Sequence, residues 1–293
     1  MTDQFKPRRS VLYMPGVNAR ALEKARGLDA DAFIFDLEDA VAPDKKVQAR
    51  GQVVASIQEG GYAPREVIVR VNGLDTPWAS DDIAAFAALP RGGFDGILIP
   101  KVESAEQVHT ALSTIDEHGG SHLSLWVMIE TPRGLLRVEE IALASPRVKC
   151  LVMGTSDLSN ELRVPHTPSR TGFLYALSHC VIAARAAGCD ILDGVYLGLQ
   201  DAAGFEQVCQ QGLELGFDGK TLIHPNQLEA ANRTFGASAD DVAHAGKVVQ
   251  AWEDALSKGQ GVVVVDGKLV ENLHYDEALR TLRVAEAIAA RQA

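Results

Sequence analysis

The chain has 293 residues and 46% hydrophobic content, enough for a sizeable core and compatible at this length with a single α/β barrel. Lys and Arg number 28 against 39 Asp and Glu, a formal net charge of −11. That balance argues against nucleic acid or an anionic membrane surface as partner, since both select a basic face. A small anionic ligand held by a few local arginines remains compatible with it. No apolar run approaches a membrane span, and Met1–Lys6 carries no apolar signal segment. Cys150, Cys180, Cys189 and Cys209 lack C-x-x-C spacing, and the histidines form no H-E-x-x-H pair. A cytoplasmic protein with free thiols and no zinc site is expected.

Short β-branched runs alternate with longer segments of helical period. Val11–Met14 predicts the first strand and closes on Pro15 and Gly16. Arg20 and Lys24 follow on a predicted helix, Ala19–Gly27; at a barrel mouth they suit the phosphates of a ligand such as coenzyme A, or are solvated helix charges. Ala32–Phe35 predicts the second strand, ending in Asp36, Glu38 and Asp39. Extended alternation places Asp36 and Glu38 on one side and Asp39 on the other. Such crowded acids share a proton, pair with bases such as Lys46 and Arg50, or stand in a metal's outer shell, the role expected of at least one.

Val67–Val71 predicts the third strand and carries Arg70, whose guanidinium needs an anion there. Asp36 or Glu38 would serve, as would the charge developing on a reacting carbonyl. Gly96–Ile99 is the fourth strand; Lys101 beyond it is a Schiff-base candidate or an ion-pair partner of Glu103. Leu123–Ile129 is followed by Glu130, and Val148–Met153 by Gly154-Thr155-Ser156 and then Asp157. Ile191–Leu197 and Gly219–Ile223 complete eight strands, with helices such as Lys45–Glu59, Ser104–His118 and Phe173–Ala187 between them. His224, at the last strand end, reads as a hydrogen-bonded structural residue.

Eight such units predict a (β/α)8 TIM barrel over residues 1–236, closed by a helix at Asn226–Phe235. An open doubly wound sheet loses support because no G-x-G-x-x-G follows the first strand. Residues 237–293 predict a helix–hairpin–helix extension: Ala239–Lys258, a break at Gly259–Gly261, Val262–Val265 turning at Asp266-Gly267 into Lys268–Val270, and Tyr275–Arg291. Such an appendage plugs the barrel, caps its mouth or reaches a neighbouring subunit.

Glu130 and Asp157 stand at the ends of successive strands, where barrel active sites lie. Each alone has an ordinary reading, as a helix cap or as the partner of Arg133 or Arg163. Together they suit Mg²⁺, which takes one or two carboxylates plus ligand oxygens and waters; Mn²⁺ fits the same oxygens. The small residues Gly154, Thr155 and Ser156 let backbone N–H groups approach a ligand carboxylate, or simply make a tight turn.

Eight ordered motifs span nearly the whole chain: R-R-S-V-L-Y-M-P-G at Arg8–Gly16, F-D-L-E-D-A-V at Phe35–Val41, K-V-Q-A-R at Lys46–Arg50, V-R-V-N at Val69–Asn72, I-P-K-V-E at Ile99–Glu103, I-E-T-P-R-G at Ile129–Gly134, G-T-S-D-L at Gly154–Leu158 and K-T-L-I-H-P-N-Q at Lys220–Gln227. In these the chain resembles the citrate lyase β-subunit-like CoA-ester lyases of the HpcH/HpaI aldolase superfamily, including citramalyl-CoA and malyl-CoA lyases. The resemblance implies that Glu130 and Asp157 hold Mg²⁺ and that Arg70 faces the thioester carbonyl and the enolate. It also implies a homotrimer or hexamer in which the C-terminal segment closes over a neighbour's site. The lid aspartate that serves that branch as acid/base is replaced here by Glu271.

The function so implied is Mg²⁺-dependent cleavage of citramalyl-CoA or malyl-CoA to a 2-keto acid, pyruvate or glyoxylate, and acetyl-CoA. Other expectations are citryl-carrier cleavage as a citrate lyase β subunit, malate-synthase or thioesterase chemistry on the same barrel, or a non-enzymatic binding role.

Overall fold

The computed structural model describes residues 6–292. Eight parallel strands close into a barrel in chain order: β1 Ser10–Pro15, β2 Ala32–Asp36, β3 Glu66–Arg70, β4 Gly96–Ile99, β5 Ser124–Ile129, β6 Val148–Met153, β7 Asp190–Asp193 and β8 Gly219–Leu222. Between them run α1 Ala19–Ala25, α2 Lys46–Glu59, α3 Ala79–Ala87, α4 Ala105–Glu117, α5 Pro132–Leu136, α6 Val138–Leu143, α7 Thr155–Leu162, α8 Leu174–Ala187 and α9 Ala202–Leu215. α10, Leu228–Thr234, follows the last strand. The (β/α)8 architecture expected from the alternating pattern is the observed one.

Side chains alternate across each strand, and one parity fills the barrel. Val11, Ala32, Ile34, Ile68, Leu98, Trp126, Met128, Cys150, Val152 and Leu192 form that core, with Tyr13 packed against it. Two residues further along the same strands, the parity reaches Asp36, Arg70 and Glu130. The period that buries the core therefore also turns these polar groups inward at the C-terminal mouth. The opposite parity packs under the helices, where Phe33 and Phe35 lie against Tyr62, three residues beyond the end of α2. There Arg170 and Lys220 also close on the fully buried Asp193, at 2.6 and 2.8 Å.

The seventh strand is shorter than expected. Val195, Tyr196 and Leu197 have strand-like composition, but the chain leaves the sheet after Asp193, whose carboxylate accepts from the Gly194 N–H at 2.8 Å. All four cysteines are free and buried.

The described chain divides into two compact units, Arg8–Asn232 and a unit of residues 233–292 with Lys6 and Pro7. The second holds α11 Ala239–Ser257, the hairpin β9 Val263–Val265 and β10 Lys268–Val270, and α12 Asn272–Gln292. Asp266 and Gly267 both take positive φ at the hairpin turn, as a D-G pair does in a primed turn. Its own core joins Ala245, Val248, Trp252, Val265, Val270 and Ala278. The other hairpin face exposes the cross-strand pair Val264 and Leu269. Among the described residues no helix is long and apolar enough to cross a membrane.

Candidate active site

A cavity of about 350 Å³ opens at the C-terminal ends of the strands. Its lining includes Tyr13, Pro15, Asp36, Arg70, Gly154, Thr155, Ser156 and Asp157. These residues come from the ends of β1, β2, β3 and β6, and Met128, Val195 and Thr221 add β5, β7 and β8.

Arg70 is 6% exposed and anchored bidentately: Nε donates to Asp36 Oδ1 at 2.7 Å and Nη2 to Oδ2 at 2.6 Å. Nη1 faces Glu38 Oε2 at 3.0 Å and Asp39 Oδ2 at 3.3 Å. The guanidinium also lies 5.0 Å over the Tyr13 ring. Burial alone would raise Asp36, but Arg70 holds it below the usual carboxylate range. Burial raises Glu38.

Three local pairings differ from expectation. Asp39 does not point away from Asp36 and Glu38 but joins them on Arg70. The Asp36 carboxylate accepts from the backbone N–H of Glu38 and Ala40 at 2.8 and 3.1 Å, turning the chain and ending the alternation. Lys46 donates to the carbonyls of Leu37 and Glu38, with its ammonium still in electrostatic reach of Asp36, Glu38 and Asp39, while Arg50 pairs with Asp82 instead of the cluster. Lys101 pairs with Glu38 Oε1 at 2.9 Å, while Glu103 faces Arg133 at 3.5 Å.

Glu130 is fully buried. Oε1 accepts the Lys101 N–H at 2.8 Å, and Oε2 has no hydrogen-bond partner. Burial, then the neighbouring Asp157 carboxyl and the charge of Glu38, push Glu130 up to about 8. With both carboxyls ionised there is no donor between them, so the pair calls for either a proton or a cation. A Cβ on Gly154 would sit 2.3 Å from Glu130 Cβ and 2.5 Å from Oε2; only glycine leaves that space open. An orphaned buried oxygen, a second carboxylate and an open cradle fit a hard divalent ion completed by ligand or water oxygens.

Thr155 opens α7, and its buried hydroxyl has no partner. Gly16 approaches β2 closely, its N–H donating to the Asp36 carbonyl at 2.8 Å. Arg20 and Lys24 are exposed and line a separate groove of about 570 Å³ with Glu23, Gln52 and Glu59, not the cavity of Arg70. Glu271 belongs to the second unit, exposed, its N–H donating to His274 Nδ1 at 3.0 Å. His224 is the expected structural residue, its Nδ1 accepting the Asn226 N–H.

Tyr13, Met128 and the Lys101 N–H escaped the sequence reading. Tyr13 shares the inward parity of Val11, a signal visible in the strand pattern. The Lys101 bond is set by a left-handed backbone, φ 52°, which no pattern announces.

A family model described as HpcH/HpaI aldolase/citrate lyase matches residues 9–225, and the chain belongs to that family of enzymes. It is 50% identical, over 99% of both chains, to a protein of Cereibacter sphaeroides (strain ATCC 17025 / ATH 2.4.3) named (3S)-malyl-CoA thioesterase. It is 37% identical to citrate lyase subunit beta of Escherichia coli (strain K12), over 96% of this chain and 94% of that one. A solved structure, CitE of Mycobacterium tuberculosis in complex with magnesium, acetoacetate and coenzyme A, is similar with a TM-score of 0.75 and 26% identity, covering 96% of this chain and 98% of the other.

Proposed function

We propose that this protein is a Mg²⁺-dependent enzyme of malyl-CoA-type thioesters, with hydrolysis of (3S)-malyl-CoA to malate and CoA as its net reaction. The strongest support from the site is the buried, unpartnered Glu130 Oε2 beside Asp157, in the mouth that also presents Arg70. The likeness to the malyl-CoA thioesterase at 50% identity supports the substrate and the hydrolytic outcome.

Glu130 and Asp157 hold the ion, Mg²⁺ or equally Mn²⁺. When bound it supplies Lewis-acid polarisation of a coordinated substrate oxygen. The free substrate carboxylate docks on the N–H groups of Thr155 and Ser156 and on the Thr155 hydroxyl, at the start of α7, whereas the Gly154 N–H is taken by the Ile129 carbonyl at 3.0 Å and Gly154 contributes only the open space. Asp36 fixes the guanidinium plane of Arg70, and Glu38 supports it; Arg70 Nη1 compensates charge on the thioester oxygen. Pro15 and Gly16 shape the wall through which the thioester enters. The CoA phosphates meet Arg20 and Lys24.

Carbon–carbon cleavage to glyoxylate and acetyl-CoA is the second reading, favoured by the likeness to citrate lyase subunit beta. Arg70 serves both: it faces an oxyanion in hydrolysis and an enolate in cleavage. In the second case Glu271 of a neighbouring subunit supplies the proton. The exposed Val264 and Leu269 face supports a homo-oligomer, a trimer or hexamer in which residues 237–293 act as a lid.

The test is incubation of (3S)-malyl-CoA and citramalyl-CoA with Mg²⁺ or EDTA, following free CoA, malate and 2-keto acid. Metal-dependent malate and free CoA from malyl-CoA is the expected result. Glyoxylate with acetyl-CoA would replace hydrolysis by cleavage, and no turnover of either ester would remove the reading.

A further inference from the structure

Lys101 is one of four described non-glycine residues with positive φ, and the only one of them at the mouth of the Arg70 cavity cluster. The left-handed region disfavours an L side chain by roughly five- to thirtyfold in population. Glycine would take it freely. A lysine here needs compensation, and two contacts provide it. The backbone N–H donates to buried Glu130 Oε1 at 2.8 Å, and Nζ donates to Glu38 Oε1 at 2.9 Å. Glu38 in turn faces Arg70 Nη1 through its other oxygen, at 3.0 Å.

We infer that Lys101 is a positioning residue that sets two groups at once: its backbone N–H aims Glu130, and its ammonium restrains Glu38 beside Arg70. The left-handed backbone lets one residue do both. The Glu38 tether holds the torsion, and the torsion holds the N–H on Glu130. The ammonium also shares the negative charge of Glu38 and so loosens that carboxylate's hold on Arg70 Nη1, whose own hydrogen bonds run to the half-exposed Asp39 and to Met128 Sδ, weak partners that a ligand oxygen can displace. The inference rests on the reading of Glu130 as a metal ligand.

The backbone and side-chain roles separate by substitution. Lys101→Met and Lys101→Gly both remove the ammonium, so their charge effect on a bound cation is the same. They differ in the torsion. Methionine without the tether relaxes away from positive φ and withdraws the N–H from Glu130; glycine retains it.

The experiment is Mn²⁺ binding by the intact protein, read by the paramagnetic resonance of the free ion, for the unsubstituted protein and for Lys101→Met, Lys101→Gly and Lys101→Arg. Lys101→Met should bind roughly tenfold more weakly than Lys101→Gly. Lys101→Gly should melt at or above the parent temperature, since strain is released. On malyl-CoA, both should raise KM, and Lys101→Arg should restore it. Equal Mn²⁺ affinity in the methionine and glycine variants would overturn the inference while leaving the metal site standing. Absence of Mn²⁺ binding by the unsubstituted protein would instead overturn the reading of Glu130 on which it rests.

Discussion

The two ends of the barrel carry the same device and use it differently. At the N-terminal end, Arg8 grips Glu66 with Nε at 2.8 Å and Nη2 at 2.9 Å, reaches Asp190 at 2.7 Å, and lies 4.9 Å over the Trp126 ring. At the C-terminal end, Arg70 grips Asp36 in the same bidentate way and lies over Tyr13. Glu66 and Arg70 are the two ends of one strand, on one face. An arginine clamped by carboxylates over an aromatic ring is therefore no mark of function by itself. The ends differ in what surrounds the clamp. Around Arg70 stand Asp36, Glu38, Asp39, Glu130 and Asp157, with Lys101 and the ammonium of Lys46 as further cations. Three buried oxygens there lack a hydrogen bond, Glu38 Oε2, Glu130 Oε2 and Thr155 Oγ1, against the indole Nε1 of Trp126 under Arg8. The cavity lined by Gly154, Thr155 and Asp157 lies beside them, at the Arg70 end. Unbalanced charge and unsatisfied atoms at a concave surface distinguish a site from a staple.

Substitutions that treat the two ends alike should separate them. Glu130→Gln is expected to have the largest effect on catalysis, lowering metal-dependent turnover on the order of 10³-fold, since a bound ion supplies several kcal/mol of transition-state stabilisation. The check is kcat with Mg²⁺ in excess. Arg70→Lys should lower kcat by about 10²–10³-fold, the range of a lost oxyanion donor. Arg8→Met should do the reverse: unfolding by denaturant should show a loss of about 3–5 kcal/mol, because Glu66 is left buried and unpaired, while kcat/KM of the folded protein stays unchanged. If Arg8→Met abolished turnover in folded protein, the contrast between the ends would fail.

A subtler contrast lies in pH. Glu130 is raised in the folded state, so its contribution to stability falls as pH climbs from the ordinary carboxylate range through about 8. A bound cation reverses that loss. Thermal stabilisation by Mg²⁺ should therefore grow between about pH 6 and about pH 8.5, as melting curves with and without the ion will report. The smallest expected effect belongs to the outlying groove: Arg20→Ala or Lys24→Ala should raise the thioester KM by up to about fivefold, without changing kcat.

The barrel was legible because eight short apolar, β-branched runs, buried on both faces, alternate with segments of helical period, and side-chain alternation along each strand then carried Asp36, Arg70 and Glu130 to one mouth. Alternation misled where the chain stopped being extended. Asp39 faces Arg70 because Asp36 turns the chain through its own carboxylate, a side-chain-to-backbone bond invisible to strand periodicity. Val195–Leu197 is β-branched and aromatic yet unpaired in the sheet, since composition does not encode whether a neighbouring strand extends as far. Lys101 was visible as a cation but not as a backbone donor, because φ at a lysine is decided by its tertiary contacts. The Glu130–Asp157 pair was legible by spacing, but the glycine that opens the space beside it became meaningful only once Gly154 lay against Glu130.

The most direct test of the metal site is calorimetric titration of Mg²⁺ near pH 7 in two buffers of different ionisation heat, for the unsubstituted protein and for Glu130→Gln. A carboxyl raised to about 8 must give up its proton to bind the ion, so about one proton should be released per Mg²⁺, and Glu130→Gln should show neither binding nor release. Mg²⁺ binding of parental affinity by Glu130→Gln would contradict the account and place the ion elsewhere.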